Sequence, residues 1–155
     1  EPQKTQSHRH GADWRRGRSA LLSMIPTTTT AVTGLVEAIP ALAGCISCLA
    51  IRVPTAAVSL VQIVAQTVAP LDSVEQIRDH FRAAADGELK GLLGTSDAPL
   101  VSIDFTSDPR SSIVDLPLTE RAGSHLVRVF AWYDNEWGYS QRIADLLRLW
   151  EGTGL

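Results

Sequence analysis

A chain of 155 residues, 45% hydrophobic and 20% charged, has the composition of an ordinary globular domain, and this excludes a disordered or low-complexity protein. Its net charge of −3 excludes a global basic field for nucleic acid or an anionic membrane, and no apolar run reaches the ~18–20 residues that cross a bilayer. Cys45 and Cys48 form a lone C-x2-C with no second pair or nearby His, so no zinc site is expected and a reducing cytoplasm suits them.

Residues 1–22 are polar, carry Arg9, Arg15, Arg16, Arg18, His8 and His10, and show no sustained apolar period. Trp14 needs cover, so this stretch is expected to be an ordered loop laid over another surface. Pro26 and the threonines at 27–30 precede Ala31, Val32, Leu35, Val36 and Ile39 at helical spacing, a helix ended by Pro40 and Gly44. Residues 46–53 and 58–68 read as strands, the first closed by Pro54. Asp72 or Ser73 then caps a helix with Val74, Ile77, Phe81 and Ala84 on one face, stopped at Gly87. Short strands are expected around Leu92, over 100–105 and over 112–116. Residues 125–133 alternate strongly enough for a central strand. Residues 138–150 close the sequence as an amphipathic helix with Ile143, Leu146, Leu147 and Trp150 inward.

Strands outnumber helices and only some are separated by them. The expectation is an α+β fold, a mixed and largely antiparallel sheet with helices packed on one face, in a single domain over 1–155. No strand–GxGxxG–helix unit occurs, so the sequence brings no dinucleotide-binding half of its own.

Three places could carry chemistry. Hydroxyls and unpaired N–H groups at residues 27–30 suit an anion, although plain helix capping explains them as well. Arg52 sits in an otherwise apolar strand and needs an anionic partner, either a protein carboxylate or a substrate phosphate; Arg16 and Arg18 could complete such a site. The run 132–139, WYDNEWGY, joins a strand to a helix. Asn135 there offers both a donor and an acceptor, while Asp134 or Asn135 could simply cap the helix. The two cysteines read as buried packing residues rather than nucleophiles.

Taken together, several of these stretches resemble the glyceraldehyde-3-phosphate dehydrogenase family. Arg52-Val53-Pro54-Thr55 before a Val-Ser strand resembles its RVPT signature, and residues 132–139 resemble its WYDNE-x-GYS motif. Leu89-Lys90-Gly91-Leu92-Leu93-Gly94 and Val101-Ser102-Ile103-Asp104-Phe105 resemble two segments between them. Gln3-Lys4-Thr5, Trp14-Arg15-Arg16-Gly17-Arg18 and Ile25-Pro26 resemble the family's upstream stretch in order and spacing.

The resemblance implies the C-terminal, catalytic domain of an enzyme that oxidises an aldehyde through a thiohemiacetal on a cysteine, passing hydride to NAD or NADP. By position Arg52 resembles the arginine that holds the substrate phosphate, and Thr29 the threonine of the attacking-phosphate site; Thr30 and Arg16 complete the implied phosphate contacts. Asn135 resembles the asparagine that contacts the nicotinamide carboxamide, with Tyr139 beside it. Residues 1–22 resemble the family's S-loop, which lies against a neighbouring subunit's cofactor site in a homotetramer. The implied ligands are a sugar-phosphate aldehyde and inorganic phosphate, with no nucleic acid and no membrane. Thr30 departs from the family's usual Gly, and its β-carbon could restrict approach to a phosphate.

The family's nucleophilic Cys and its His partner fall upstream of residue 1, as does the NAD(P)-binding domain. Residue 1 is Glu rather than Met, which fits a chain with more before it. These 155 residues alone are therefore expected to be inactive, because losing nucleophile and base costs about 10⁶ in rate. Two alternatives stand beside this reading. One is a C-terminal domain acting on erythrose 4-phosphate, toward which Ser102-Ile103-Asp104, Asp108-Pro109 and Ile113-Val114-Asp115 lean. The other is a non-catalytic binding or assembly fragment.

Overall fold

Proline at one end and a helix start at the other limit the first pairing. In the computed structural model, which describes residues 14, 15, 17–19 and 21–152, strand β1 (Ile25–Thr27) pairs antiparallel with β2 (Ala50–Arg52). Pro54 lies just past β2 at one end, and at the other the chain after Thr27 turns toward a helix that starts at Ala31, so the ribbon stops at three residues a side. The strand expected over 46–53 is thus only Ala50–Arg52, and residues 46–49 are irregular. Between the two strands lies helix α1 (Ala31–Ala38), followed by a 3-10 turn at Pro40–Leu42. These elements form one compact unit, divided from the next between Ala56 and Ala57.

The second unit is a four-stranded sheet in the order β3-β6-β5-β4. Strand β3 (Ser59–Gln66) pairs antiparallel with β6 (Leu126–Tyr133) along its whole length, from Ser59 opposite Tyr133 to Gln66 opposite Leu126. Strand β5 (Ser112–Ala122) lies antiparallel on the other side of β6, and β4 (Leu93–Ser96) runs parallel to β5 at the edge. Residues 125–133 do supply an internal strand. β5 breaks register between Asp115 and Glu120, where Pro117 removes a ladder donor.

Helix α2 (Val74–Asp86) starts where Ser73 Oγ accepts the Gln76 N–H at 3.1 Å, and it packs on β4 and β5. Phe81 from this helix joins Val114, Leu116, Val129 and Ala131 in one apolar cluster. On the opposite face Val58, Phe105 and Ile113 bury around Trp132, whose ring stacks on Phe105 at 5.4 Å. The expected strand over 100–105 is a 3-10 turn, Ser102–Phe105, because the Asp104 carboxylate accepts the Val101 N–H at 2.8 Å and curls the chain.

Helix α3 (Asn135–Gly152) begins three residues before its expected start. Its apolar residues do not face inward: Ile143, Leu146, Leu147 and Trp150 are exposed, Leu146 by 64%. Its ties to the rest of the unit at Asp134, Gly138 and Arg142 lie in its first turns, and periodicity shows that a face wants cover without showing what supplies it. The sheet is mixed and mostly antiparallel, and the fold is α+β as expected.

Candidate functional site

The expected site residues fall in both units. In the first, alternation along an antiparallel ribbon puts directly opposed residues on one face. Arg52, opposite Ile25, therefore shares a face with Ile25, Thr27 and Ala50, while Pro26 and Ile51 lie on the other. The Arg52 face is the more covered one: Ile25 is buried and Thr27, Ala50 and Arg52 are half-buried, whereas Ile51 is exposed. Arg52 is thus held partly out of water and already engaged within the structure. A half-buried guanidinium keeps its fork geometry for a carboxylate or phosphate.

Past the other end of β1, the Thr29 hydroxyl oxygen accepts the Ala31 N–H at 3.1 Å. That bond leaves the Thr29 hydroxyl hydrogen free to be donated outward. Thr30 precedes the helix as its N-cap residue, but its side chain makes no capping bond. Its φ of −92° is ordinary for a residue with a β-carbon, so threonine stands there without backbone strain. Thr29 and Thr30 are both exposed. Arg16, and most of the loop expected over 1–22, lie outside the described residues; Trp14, described at its edge, is 80% exposed within this chain rather than covered.

In the second unit Asp134 stands between the end of β6 and the start of α3. Its carboxylate is buried, with Oδ1 accepting the Trp137 N–H at 3.0 Å and Oδ2 accepting the Ser107 N–H at 2.9 Å. Asp134 is therefore the helix cap, and Asn135 is released from that duty. Asn135 and Tyr139, four residues apart, share one helix face and line an open depression of about 210 Å³ with Ser111, Tyr133, Asp134, Gly138 and Arg142. The Asn135 side chain is exposed at its rim and makes no hydrogen bond to another described residue. A free amide beside a tyrosine fits the carboxamide of a nicotinamide, which needs one donor and one acceptor.

Sequence reasoning missed Ser111 and Arg142. Arg142 falls seven residues after Asn135, a helical spacing that was available to find it. Ser111 comes from the turn before β5, and no sequence signal links it to α3. Arg142 Nη1 donates to Ser111 Oγ at 2.9 Å, and the guanidinium also pairs with Asp145 at 2.8 Å. In the same turn the Asp108 carboxylate lies against Arg110, with Arg110 Nε donating to Oδ1 at 2.8 Å; that guanidinium holds Asp108 below the usual carboxylate range and raises Arg110 in return. Cys45 and Cys48 are both exposed free thiols rather than packing residues, since residues 46–49 join no strand that would bury them. Among the described residues no cluster of His, Cys, Asp or Glu could hold a metal ion.

Residues 1–135 match the family described as glyceraldehyde 3-phosphate dehydrogenase, C-terminal domain. The chain belongs to that family. It is 48% identical to glyceraldehyde-3-phosphate dehydrogenase A, chloroplastic, of Chlamydomonas reinhardtii over 140 residues, 90% of this chain and 36% of that protein. It is 45% identical to the chloroplastic B protein of Pisum sativum over 151 residues, 95% of this chain and 33% of that protein. A chromosomal glyceraldehyde-3-phosphate dehydrogenase of Cupriavidus necator is 49% identical over 133 residues, 86% of this chain and 39% of that protein. The chain spans about a third of the length of these dehydrogenase relatives.

Proposed function

We propose that this chain forms the phosphate- and nicotinamide-contacting part of an NAD(P)-dependent dehydrogenase acting on glyceraldehyde 3-phosphate. The observation that carries the reading is Arg52, a cation on the covered face of the ribbon whose other strand leads into the Thr29–Ala31 helix start. In this reading Arg52 grips the substrate phosphate, with Arg16 as a further cation. Thr29 donates its hydroxyl, and Thr30 its backbone neighbourhood, to the inorganic phosphate that enters the reaction. Asn135 holds the nicotinamide carboxamide and Tyr139 borders it. The cofactor, when bound, accepts hydride from the aldehyde carbon; the residues of this chain bind and orient. A subunit assembled this way works as a homotetramer.

The test places these 155 residues as the C-terminal part of an active family subunit. Arg52→Ala there removes charge-assisted bonds of about 1.5–3 kcal/mol each, raising KM for the aldehyde phosphate by roughly 10- to 150-fold, with a smaller effect on cofactor KM. An unchanged aldehyde KM refutes the assignment of Arg52. A parent enzyme that prefers erythrose 4-phosphate keeps the phosphate grip and replaces the substrate. The 155 residues expressed alone should show no NAD(P)-dependent aldehyde oxidation.

A further inference from the structure

The geometry points to Asp134 as a positioning residue for cofactor binding, one that acts by fixing the helix start from which Asn135 reaches; this rests on the reading of Asn135 given above. Three ties hold the beginning of α3 to the turn that precedes β5. Asp134 bridges the Ser107 and Trp137 amides. Gly138 lies so close to the Arg110 carbonyl that a β-carbon there would stand 3.2 Å from its oxygen. Arg142 donates to Ser111. Residues 134, 138 and 142 recur every four positions and form one anchoring row; Asn135 and Tyr139 form the adjacent row, turned about 100° around the helix, and present their side chains to the depression.

Of the three, only the Asp134 tie touches both the helix start and a strained partner. Ser107 has φ +63°, the left-handed region that a residue with a β-carbon enters at a cost; the Asp108 N–H donates to the Phe105 carbonyl at 3.2 Å and closes that turn, and Asp134 ties the closed turn to the helix. Releasing Asp134 uncouples the helix start from the turn and leaves the first helical amides without a cap at once. A helix freed to rotate by about 20° carries a side-chain tip some 5–6 Å from its axis through about 2 Å. A misplacement of that size is enough to lose an oriented contact.

The test uses the same active subunit and compares Asp134→Ala, Asp134→Ser, Asn135→Ala and the double variant Asp134→Ala/Asn135→Ala. Serine can still accept the Trp137 N–H as a cap but cannot reach Ser107. Asp134→Ala is expected to raise cofactor KM about tenfold or more, with aldehyde KM and kcat at saturating cofactor moving roughly threefold or less. Asp134→Ser is expected to regain part of the thermal midpoint through its cap while cofactor KM stays raised, because the link to Ser107 is still lost, a separation that a purely structural residue would not show. The double variant should bind cofactor no worse than Asn135→Ala by more than about threefold.

If Asn135→Ala weakens cofactor binding and Asp134→Ala does not, or if the two effects multiply, the positioning role is overturned. No effect of Asn135→Ala would instead remove the nicotinamide reading itself, and the inference with it. Should Asp134→Ala not assemble, Asp134→Asn, which keeps one acceptor oxygen, must give an intermediate rise in cofactor KM; a parental value overturns the inference.

Discussion

Gly94→Ala is the sharpest stability test of the second unit, because the space above Gly94 is filled by a side chain that is itself tied down. A β-carbon built there would stand 2.6 Å from Arg110 Cζ and 2.8 Å from Nε, whereas carbon contacts settle near ~3.5–4.0 Å. The guanidinium must therefore withdraw by about 1 Å. It is not free to do so, since it grips Asp108 through two of its nitrogens, and the Asp108 side chain is only 15% exposed. Overpacking of this kind costs about 1–3 kcal/mol, offset by about 0.4–1 kcal/mol from the smaller unfolded-state entropy of alanine. We expect a net loss of about 1–2 kcal/mol, read as a lower urea midpoint at constant m value. In an Arg110→Ala background the obstruction is gone, so the same substitution should be neutral or slightly stabilising, giving a coupling of about 1.5–2.5 kcal/mol. An equal cost in both backgrounds would refute the packing argument.

The Asp108–Arg110 pair should also leave a pH signature. Asp108 titrates lower folded than unfolded, so its contribution is fully present above the unfolded value near ~4 and is lost as pH falls through the folded one. The electrostatic part of the Arg110→Ala penalty should therefore hold from neutral pH to about pH 4 and shrink below it, checked by urea titrations across that range; a penalty that grows in acid contradicts the sign. Asp115, almost fully buried, accepts the Trp132 indole N–H at 3.0 Å and the Leu118 N–H at 3.3 Å. Asp115→Ala strands both donors, and thermal melts should show a loss of about 2–4 kcal/mol; a loss below about 0.5 kcal/mol would mean that water replaces the carboxylate.

What could be read from the sequence is what local chemistry decides. The Ser73 hydroxyl, Phe81 and the stop at Gly87 lie within one helix, and α2 follows from them. Strand β6 carries its alternation in eight consecutive residues. The strand expected over 46–53 came out short because the residues that would face 46–49 in that register, 28–31, lead into helix α1, some twenty residues away in sequence. The 3-10 turn at Ser102–Phe105 hides behind strand-like residues, since only the bond from Val101 to Asp104 reveals it. The site divides in the same way. Asn135 and Tyr139 share a helix face by spacing alone, and Arg142 extends it. Ser111 and Ser107 reach that helix only through the fold, so no pattern in residues 107–111 announces them.

The register break in β5 has a consequence for how this strand tolerates length change. From Asp115 to Glu120 β5 advances five residues while its partner, from Phe130 to Arg128, advances two. The surplus is three, an odd number. Odd-numbered residues such as Ile113 and Asp115 therefore share the Trp132 face before the break, and even-numbered ones such as Glu120 and Ala122 share it after. The loop at Pro117 works as a phase inverter between two half-strands written in opposite parity. Losing or gaining one residue there would turn one half inside out, whereas a change of two would only shorten or lengthen the loop.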